Sequence, residues 1–324
     1  MDTVPSSQNM QTGSTQKDRQ QNIRQETPGR VSAVVPLYNH QRYIAQALDS
    51  ILIQGCLLHE VIVIDDGSTD SSFEIAARIA DGHPHLHVRR HANIGAAPTI
   101  NEALAQACGE FVAILNSDDA WMPGRLAALV AALDRDLGSD LAASSIAFMD
   151  AAGEPIANPW FEEALSGFIA RRDFGLALLD ANFLMTTSNF LFRRRIIDAL
   201  GGFADMRYAH DMEFGLRLAA ESRRLAFVDA PLLRYRFHAD NTIKEDHAKV
   251  RVDWTLAGAF YVYSLGRTGQ SDRRDAAMEI LARHGLVRAA ELCLSYFEQH
   301  RTRDLASNPI LADQSMLARL KASV

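Results

Sequence analysis

Three stretches decide how this chain reads: VSAVVPLYN (residues 31–39), EVIVIDDGSTD (60–70) and GEFVAILNSDDAWMP (109–123). Each is an apolar, strand-like run that ends abruptly in carboxylates, an amide or a turn. In an open parallel sheet, ligands gather just beyond the carboxyl ends of the strands. Carboxylates placed there can hold a sugar, a ribose or a divalent metal, so the pattern points to an enzyme.

The flanking segments supply the rest of a fold. Gln41–Ile53 carries Ile44, Leu48, Ile51 and Leu52 at the spacing of a helix packed on a sheet. A strand at Glu60–Ile64, a helix at Ser72–Ile79, a strand at Leu86–Arg90, a helix at Ala96–Ala107 and a strand at Phe111–Leu115 follow. Strands alternating with helices imply parallel βαβ units with right-handed crossovers. Beyond Pro123 the pattern predicts a helix over Leu126–Leu137, a weaker strand over Leu141–Met149 and an irregular stretch, Asp150–Leu184, suited to shaping a pocket. Short strands are expected at Asn189–Phe192 and Leu225–Val228, then helices over Ala248–Leu265, Ser271–His284, Leu286–His300 and Asp313–Lys321. The expected fold class is α/β, an open, mostly parallel, Rossmann-like sheet flanked by helices, with a C-terminal helical extension. The expected division is a disordered tail over 1–29, the α/β domain over 30–241 and a helical region over 242–324.

Composition narrows the function. The 324 residues include 33 Lys and Arg against 40 Asp and Glu, a net charge of −7. Nucleic-acid binding, which wants a basic footprint, is disfavoured. The 3 cysteines are scattered, which argues against a disulfide framework or a structural zinc site and suits a reducing cytosol. No apolar run approaches the roughly 18–20 residues that span a bilayer. Met1–Gly29 is rich in Gln, Ser and Thr, without the apolar core of a signal peptide. A cytoplasmic protein is expected, any membrane contact being peripheral.

The strand ends carry the chemistry. Tyr38 can stack on a base, the Asn39 amide can read polar groups, and Asp66 can accept from a nucleobase N–H or a ribose hydroxyl. Asn116-Ser117-Asp118-Asp119 offers hard oxygen ligands suited to Mg2+ or Mn2+ bridging a diphosphate. Neither GxGxxG nor GxxxxGK[ST] is present. A diphosphate without a glycine cradle is best held on a metal.

In order and spacing, VVPLYN, IDDGSTD, HANIGAAPTINEAL (91–104) and GEFVAILNSDDAWMP are similar to the inverting glycosyltransferases of family 2. The resemblance runs from Val31 to Asn241. It implies the GT-A fold, a nucleotide-diphospho-sugar donor, a divalent metal and a saccharide or lipid-linked saccharide acceptor, commonly in surface polysaccharide or glycolipid synthesis. It implies that Pro36, Tyr38, Asn39 and Asp66 line the nucleoside pocket and that Asn93 and Gly95 belong to the loop beside the donor. Asn116-Ser117-Asp118 takes the place of the metal-binding Asp-x-Asp, with Asp118 the direct ligand; Asn116, replacing the more usual Asp, and Ser117 are expected to bind the donor, the amide reaching ribose or a metal-bound water. Ile100 stands where many relatives carry Arg before the Asn, here Asn101. GGFADMRYAHDMEFGLRLA (201–219) resembles the segment that bears the catalytic base; the usual Glu-Asp pair reads His210-Asp211, and Asp211 takes the base's place. Arg234-Tyr235-Arg236-Phe237-His238 resembles the late Tyr-Arg-x-His element, in which His238 completes the metal or diphosphate site.

Simpler readings compete for some of these residues. Asp119 suits the N-cap of the following helix. Glu213, Arg217 and Arg193–Arg195 are most cheaply surface or salt-bridging charges. Tyr38 with Asp66 suits a pyrimidine, hence UDP before dTDP. A catalytically silent nucleotide-sugar-binding protein is the alternative, favoured by Asn116 and His210. A nucleotidyltransferase would want a glycine-rich, basic loop after the first strand, which residues 36–40 do not offer.

Overall fold

A computed structural model describes residues 29–241, 246–305 and 309–324; the expected tail falls, but for Gly29, outside them. The first half follows the predicted alternation. Strands β1 (Val31–Leu37), β2 (Leu58–Asp65), β3 (Leu86–Arg90) and β4 (Phe111–Ile114) are separated by helices α1 (Ile44–Leu52), α2 (Ser72–Ala80) and α3 (Ala96–Leu104). Beyond β4 come β5 (Ala120–Trp121), α4 (Arg125–Arg135), β6 (Ser139–Met149), β7 (Pro155–Ile156), α5 (Pro159–Arg171) and α6 (Phe174–Asp180). Then follow β8 (Leu191–Arg193), α7 (Arg195–Leu200), α8 (His210–Ala220) and β9 (Arg224–Arg236). The chain continues through α9 (His247–Arg267), α10 (Ser271–Arg283), α11 (Val287–His300) and α12 (Gln314–Lys321).

The strands form one curled sheet in the order β3-β2-β1-β4-β8-β6-β9-β5, with β7 on β6. Its long ladders, among β1 to β4 and between β6 and β9, are parallel; β8, β5 and β7 join by short antiparallel pairings. β1 lies between β2 and β4, so the connections out of β1 and into β4 leave on opposite sides. That reversal opens a crevice at the carboxyl ends of these two strands. The expected fold class is therefore the observed one.

Strand β1 shows why the sheet is covered on both faces. Val31, Ala33, Val35 and Leu37 meet the side chains of α1 and α4, whereas Val34 joins a second core with α3, α6, α8 and α9. Strand residues alternate faces, and a run apolar at both parities must be buried on both sides. The second core continues without interruption to Leu320 on α12.

Two expectations are corrected. Asp150–Leu184 is not irregular: it holds the β7 pairing, α5 and α6. The signals are local. Asn158 caps Phe161 N at 3.2 Å with Pro159 in the first turn, and Asp173 caps Leu176 N at 3.0 Å. The expected short strand at Leu225–Val228 is the start of β9, 13 residues long, whose register against β6 shifts near Pro231. β9 thereby carries Arg236 across the sheet to the crevice. No helix among the described residues is long and apolar enough to cross a membrane.

Helix α6 is pinned between α8 and α9 through a glycine. A Cβ on Gly175 would lie 2.6 Å from Ala219 Cβ and against the Tyr261 hydroxyl. Overpacking of this kind costs about 1–3 kcal/mol. Gly175→Ala should accordingly lower the urea midpoint with an unchanged slope; an unaltered midpoint would contradict this close seating.

Candidate active site

The crevice is a cavity of about 1040 Å3 that reaches from the ends of β1, β2 and β4 to the start of α8. Every site residue expected from sequence lines it except His238, which lies just beneath and touches one that does.

The metal-ligand candidates meet here. Asp118 follows β4 and His238 follows β9, yet the His238 Nε2–H donates to Asp118 Oδ2 at 2.9 Å. A third group, His40, was not singled out from sequence. It follows β1, its Nε2 is 3.9 Å from Asp118 Oδ2, and its Nδ1 lies 2.8 Å from Ser117 Oγ. One ligand atom from each of His40, Asp118 and His238 lies within 4.8 Å of the others. Two imidazoles and a carboxylate form a borderline donor set that fits Mn2+ better than Mg2+. Burial opposes ionisation of Asp118, but the His238 hydrogen bond and the His40 charge outweigh it and hold the carboxyl below its ordinary range. The Asp240 N–H donates to His238 Nδ1 at 3.3 Å, which sets the ring proton on Nε2, facing Asp118.

Asp119 does not cap a helix. α4 begins after Gly124, whose φ of 79° suits glycine, and Pro123-Gly124 was the overlooked signal. The Asp119 carboxylate instead accepts from Arg236 N at 2.9 Å and from Ser188 Oγ at 2.6 Å. Burial and the adjacent Asp118 charge push its pKa well above the ordinary value. Ser188 belongs to a turn, Thr186–Asn189, that sequence reasoning missed. Asn116 N donates to Ser188 Oγ, and the Asn116 amide is held between the Thr186 and Thr187 hydroxyls at 2.9 and 3.0 Å. Beneath them Arg125, fully buried, donates to Ser144 Oγ, Ser188 O and Asn189 Oδ1. Burial pulls this guanidinium down to about 9 against the opposing pull of Asp119. Arg236 closes the assembly, donating to Asp118 O and Asp150 O with its guanidinium 4.7 Å above the Tyr43 ring.

The turn after β2 divides its two carboxylates. Asp65 is wholly buried and accepts from Arg90 Nε and Ser68 N at 2.8 and 3.0 Å. Asp66, 4 % exposed, accepts from Ile94 N and Gly95 N at 2.7 and 2.9 Å, and Asn93 Nδ2 donates to its carbonyl. Asp66 thus orders the loop bearing Asn93 and Gly95 and lines the cavity, with His91 Nδ1 3.4 Å from Oδ1. Gly67 has φ 74°, and a Cβ there would sit 2.8 Å from Asn93 N. Asn39, at φ 52°, accepts from Thr69 N at 2.8 Å and so fixes the turn from the other side. Tyr38 is 45 % exposed beside them, and Pro36 lines the wall.

Asp211 stands in the first turn of α8, where the helix dipole favours an anion. It is 7 % exposed; Oδ1 accepts from Met212 N at 2.7 Å and Oδ2 from Asn182 Nδ2 at 3.1 Å. Burial raises its pKa, with His210 opposing. His210 Nδ1 meets Met206 O at 3.1 Å. Glu213 and Arg217 are not surface charges: they form a buried pair at 2.8 Å, and Arg217 also bonds Gly202 O at 2.7 Å. Arg193 is likewise buried on main-chain carbonyls, while Arg195 pairs with Asp140 at 2.7 Å.

Comparison with known proteins gives the chain's family. The family model described as glycosyl transferase family 2 matches residues 32–201. The succinoglycan biosynthesis protein ExoU of Rhizobium meliloti (strain 1021) is 31 % identical over 287 residues, 84 % of this chain and 75 % of that protein. The uncharacterized glycosyltransferase YibD of Escherichia coli (strain K12) is 36 % identical over 109 residues, 33 % of this chain. The matched segment spans about a third of the length of YibD and of the Nostoc protein alr2836, 32 % in each case. Among solved structures, S. aureus TarS 1–349 in complex with UDP-GlcNAc matches with a TM-score of 0.57 at 18 % identity, covering 90 % of this chain and 78 % of that one. Mannosyltransferase PcManGT from Pyrobaculum calidifontis, in complex with GDP-Man and Mn2+, gives 0.51 at 22 % identity, covering 92 % and 86 %. These structural likenesses speak for the fold, and the family match and ExoU speak for descent: the chain belongs to glycosyl transferase family 2.

Proposed function

We propose that this chain transfers a sugar from a nucleotide-diphospho-sugar to an acceptor hydroxyl by a single inverting displacement, in the synthesis of a surface polysaccharide or glycolipid. The observation that carries the reading is one cavity where His40 and Asp118, with His238 against Asp118, meet a buried carboxylate of raised pKa. ExoU, by its name a succinoglycan biosynthesis protein, supports the polysaccharide setting. The nucleotide-sugar complexes of TarS and PcManGT support the donor class.

His40, Asp118 and His238 would hold the divalent ion, Mn2+ ahead of Mg2+, which when bound neutralises charge on the leaving diphosphate. Tyr38 offers its exposed face to the base, uracil ahead of thymine, and Asp66 accepts from the base or ribose. Asp211 takes the proton from the acceptor hydroxyl as that oxygen bonds to the anomeric carbon. The bond from that carbon to the diphosphate breaks in the same step, its electron pair leaving with the phosphate oxygen. One base suffices, because no covalent glycosyl-enzyme forms; retention would need a nucleophile as well. Trp160, 50 % exposed on the cavity wall near Asn158, offers an aromatic platform for an acceptor saccharide ring.

The silent-binder alternative gains nothing from Asn116 or His210. The Asn116 amide lines the cavity while held by two threonine hydroxyls, and His210 is anchored on Met206 O.

Asp118→Ala should abolish the Mn2+-dependent part of UDP binding in calorimetry; unchanged affinity with Mn2+ would sink the metal assignment. Asp211→Asn should bind UDP and Mn2+ normally yet lose about 10²–10⁴-fold in transfer. Because burial raises the Asp211 pKa, the ionised base is depleted as pH falls. Wild-type transfer should therefore decline on the acid side at a pH above the ordinary carboxylate range. Near-normal transfer by Asp211→Asn, with His210→Gln inactive, would move the base one residue upstream.

A further inference from the structure

We infer that Asn182 is the positioning residue for the Asp211 carboxylate, a role that rests on Asp211 being the base. Asn182 lies between α6 and the Thr186–Asn189 turn, in a stretch where the sequence carries no motif. Its carboxamide oxygen accepts from Met185 N at 3.1 Å, and its nitrogen donates to Asp211 Oδ2 at 3.1 Å.

The chemistry permits one orientation of this amide. The Met185 N–H can only donate and an ionised carboxylate can only accept, so the nitrogen must face Asp211. Met185 holds a left-handed φ of 66°, uncommon for a non-glycine residue, and the Asn182 oxygen spans that turn. Asp211 is thus gripped at both oxygens, by Met212 N on its own helix and by Asn182 from another element. Each oxygen keeps a lone pair for a substrate hydroxyl. A base oriented by a third group is the general arrangement for activated catalysis.

His210 neighbours Asp211 on α8, and the Tyr235 phenol approaches from β9. Asp253 on α9, raised by burial, feels the His210 charge in the opposite direction. Burial raises the Asp211 pKa overall; His210, the Met212 N–H and then the Asn182 hydrogen bond favour the ionised carboxylate against it. Removal of Asn182 should raise the pH at which Asp211 titrates.

The test follows the 13C resonance of the Asp211 carboxyl through a pH titration in the full chain, in wild type, Asn182→Ala and Asn182→Asp. Asn182→Asp keeps the acceptor for Met185 N and so preserves the turn, but sets a second carboxyl against Asp211. Both variants should titrate at higher pH than wild type, Asn182→Asp the further of the two. Transfer at neutral pH should fall about 10- to 100-fold in Asn182→Ala, its acid limb shifting in step, with UDP affinity in Mn2+ unchanged. An Asp211 titration identical in all three proteins overturns the inference, as does a transfer rate and limb unmoved in both variants. Failure of the base assignment is read separately: Asp211→Asn would then transfer normally whatever the Asn182 titrations show.

Discussion

The buried carboxylate of Asp119 ties the site together. It receives the Arg236 main-chain N–H, 117 residues away in sequence, and the Ser188 hydroxyl. The first bond fixes the end of β9 against the exit of β4; the second fixes the Thr186–Asn189 turn against both. His238 reaches Asp118 because Arg236 is already held next to the neighbouring carboxylate. Two adjacent aspartates are thereby given opposite environments. Asp118 is held low by His238 and His40 against its burial, and Asp119 is driven up by burial beside it. Environments that separate the pKa values of neighbouring groups also separate their tasks: one stays an available anion and the other is a structural clamp.

A similar division holds at the turn after β2. Asp65 spends its carboxylate on Arg90 and Ser68 within the scaffold. Asp66 spends part of its carboxylate on the Ile94–Gly95 backbone and faces the cavity. Loss of Asp66 would therefore loosen this loop and, on the proposed function, remove a donor contact with it. Dipoles held in this way need no reorganisation when charge develops beside them.

Much of this was legible in the chain. The β1–β4 alternation reads from apolar runs ending in turns, and the sheet's reversal between β1 and β4 then brings Tyr38, Asp66 and Asp118 to one crevice. Asp211 and His238 were readable only through family resemblance, since a lone carboxylate on an amphipathic helix or a lone histidine carries no pattern. His40 went unread because its partner Asp118 is close only through β1–β4 pairing. Asn182 and the Thr186–Asn189 turn are uncharged residues whose worth is entirely in their hydrogen bonds, and no period or spacing marks them. The two helices within Asp150–Leu184 were announced only by their caps, Asn158 and Asp173.

The account's central claim is that one base and no nucleophile act at the anomeric carbon. Proton NMR of the first-formed product, taken before mutarotation, tests it most directly, and water can serve as acceptor when no saccharide acceptor is supplied. With an α-linked nucleotide sugar the account predicts a β anomer as the initial product, and its loss in Asp211→Asn. An α anomer formed first by the wild-type protein would mean retention, and would contradict the single displacement on which the site's reading depends.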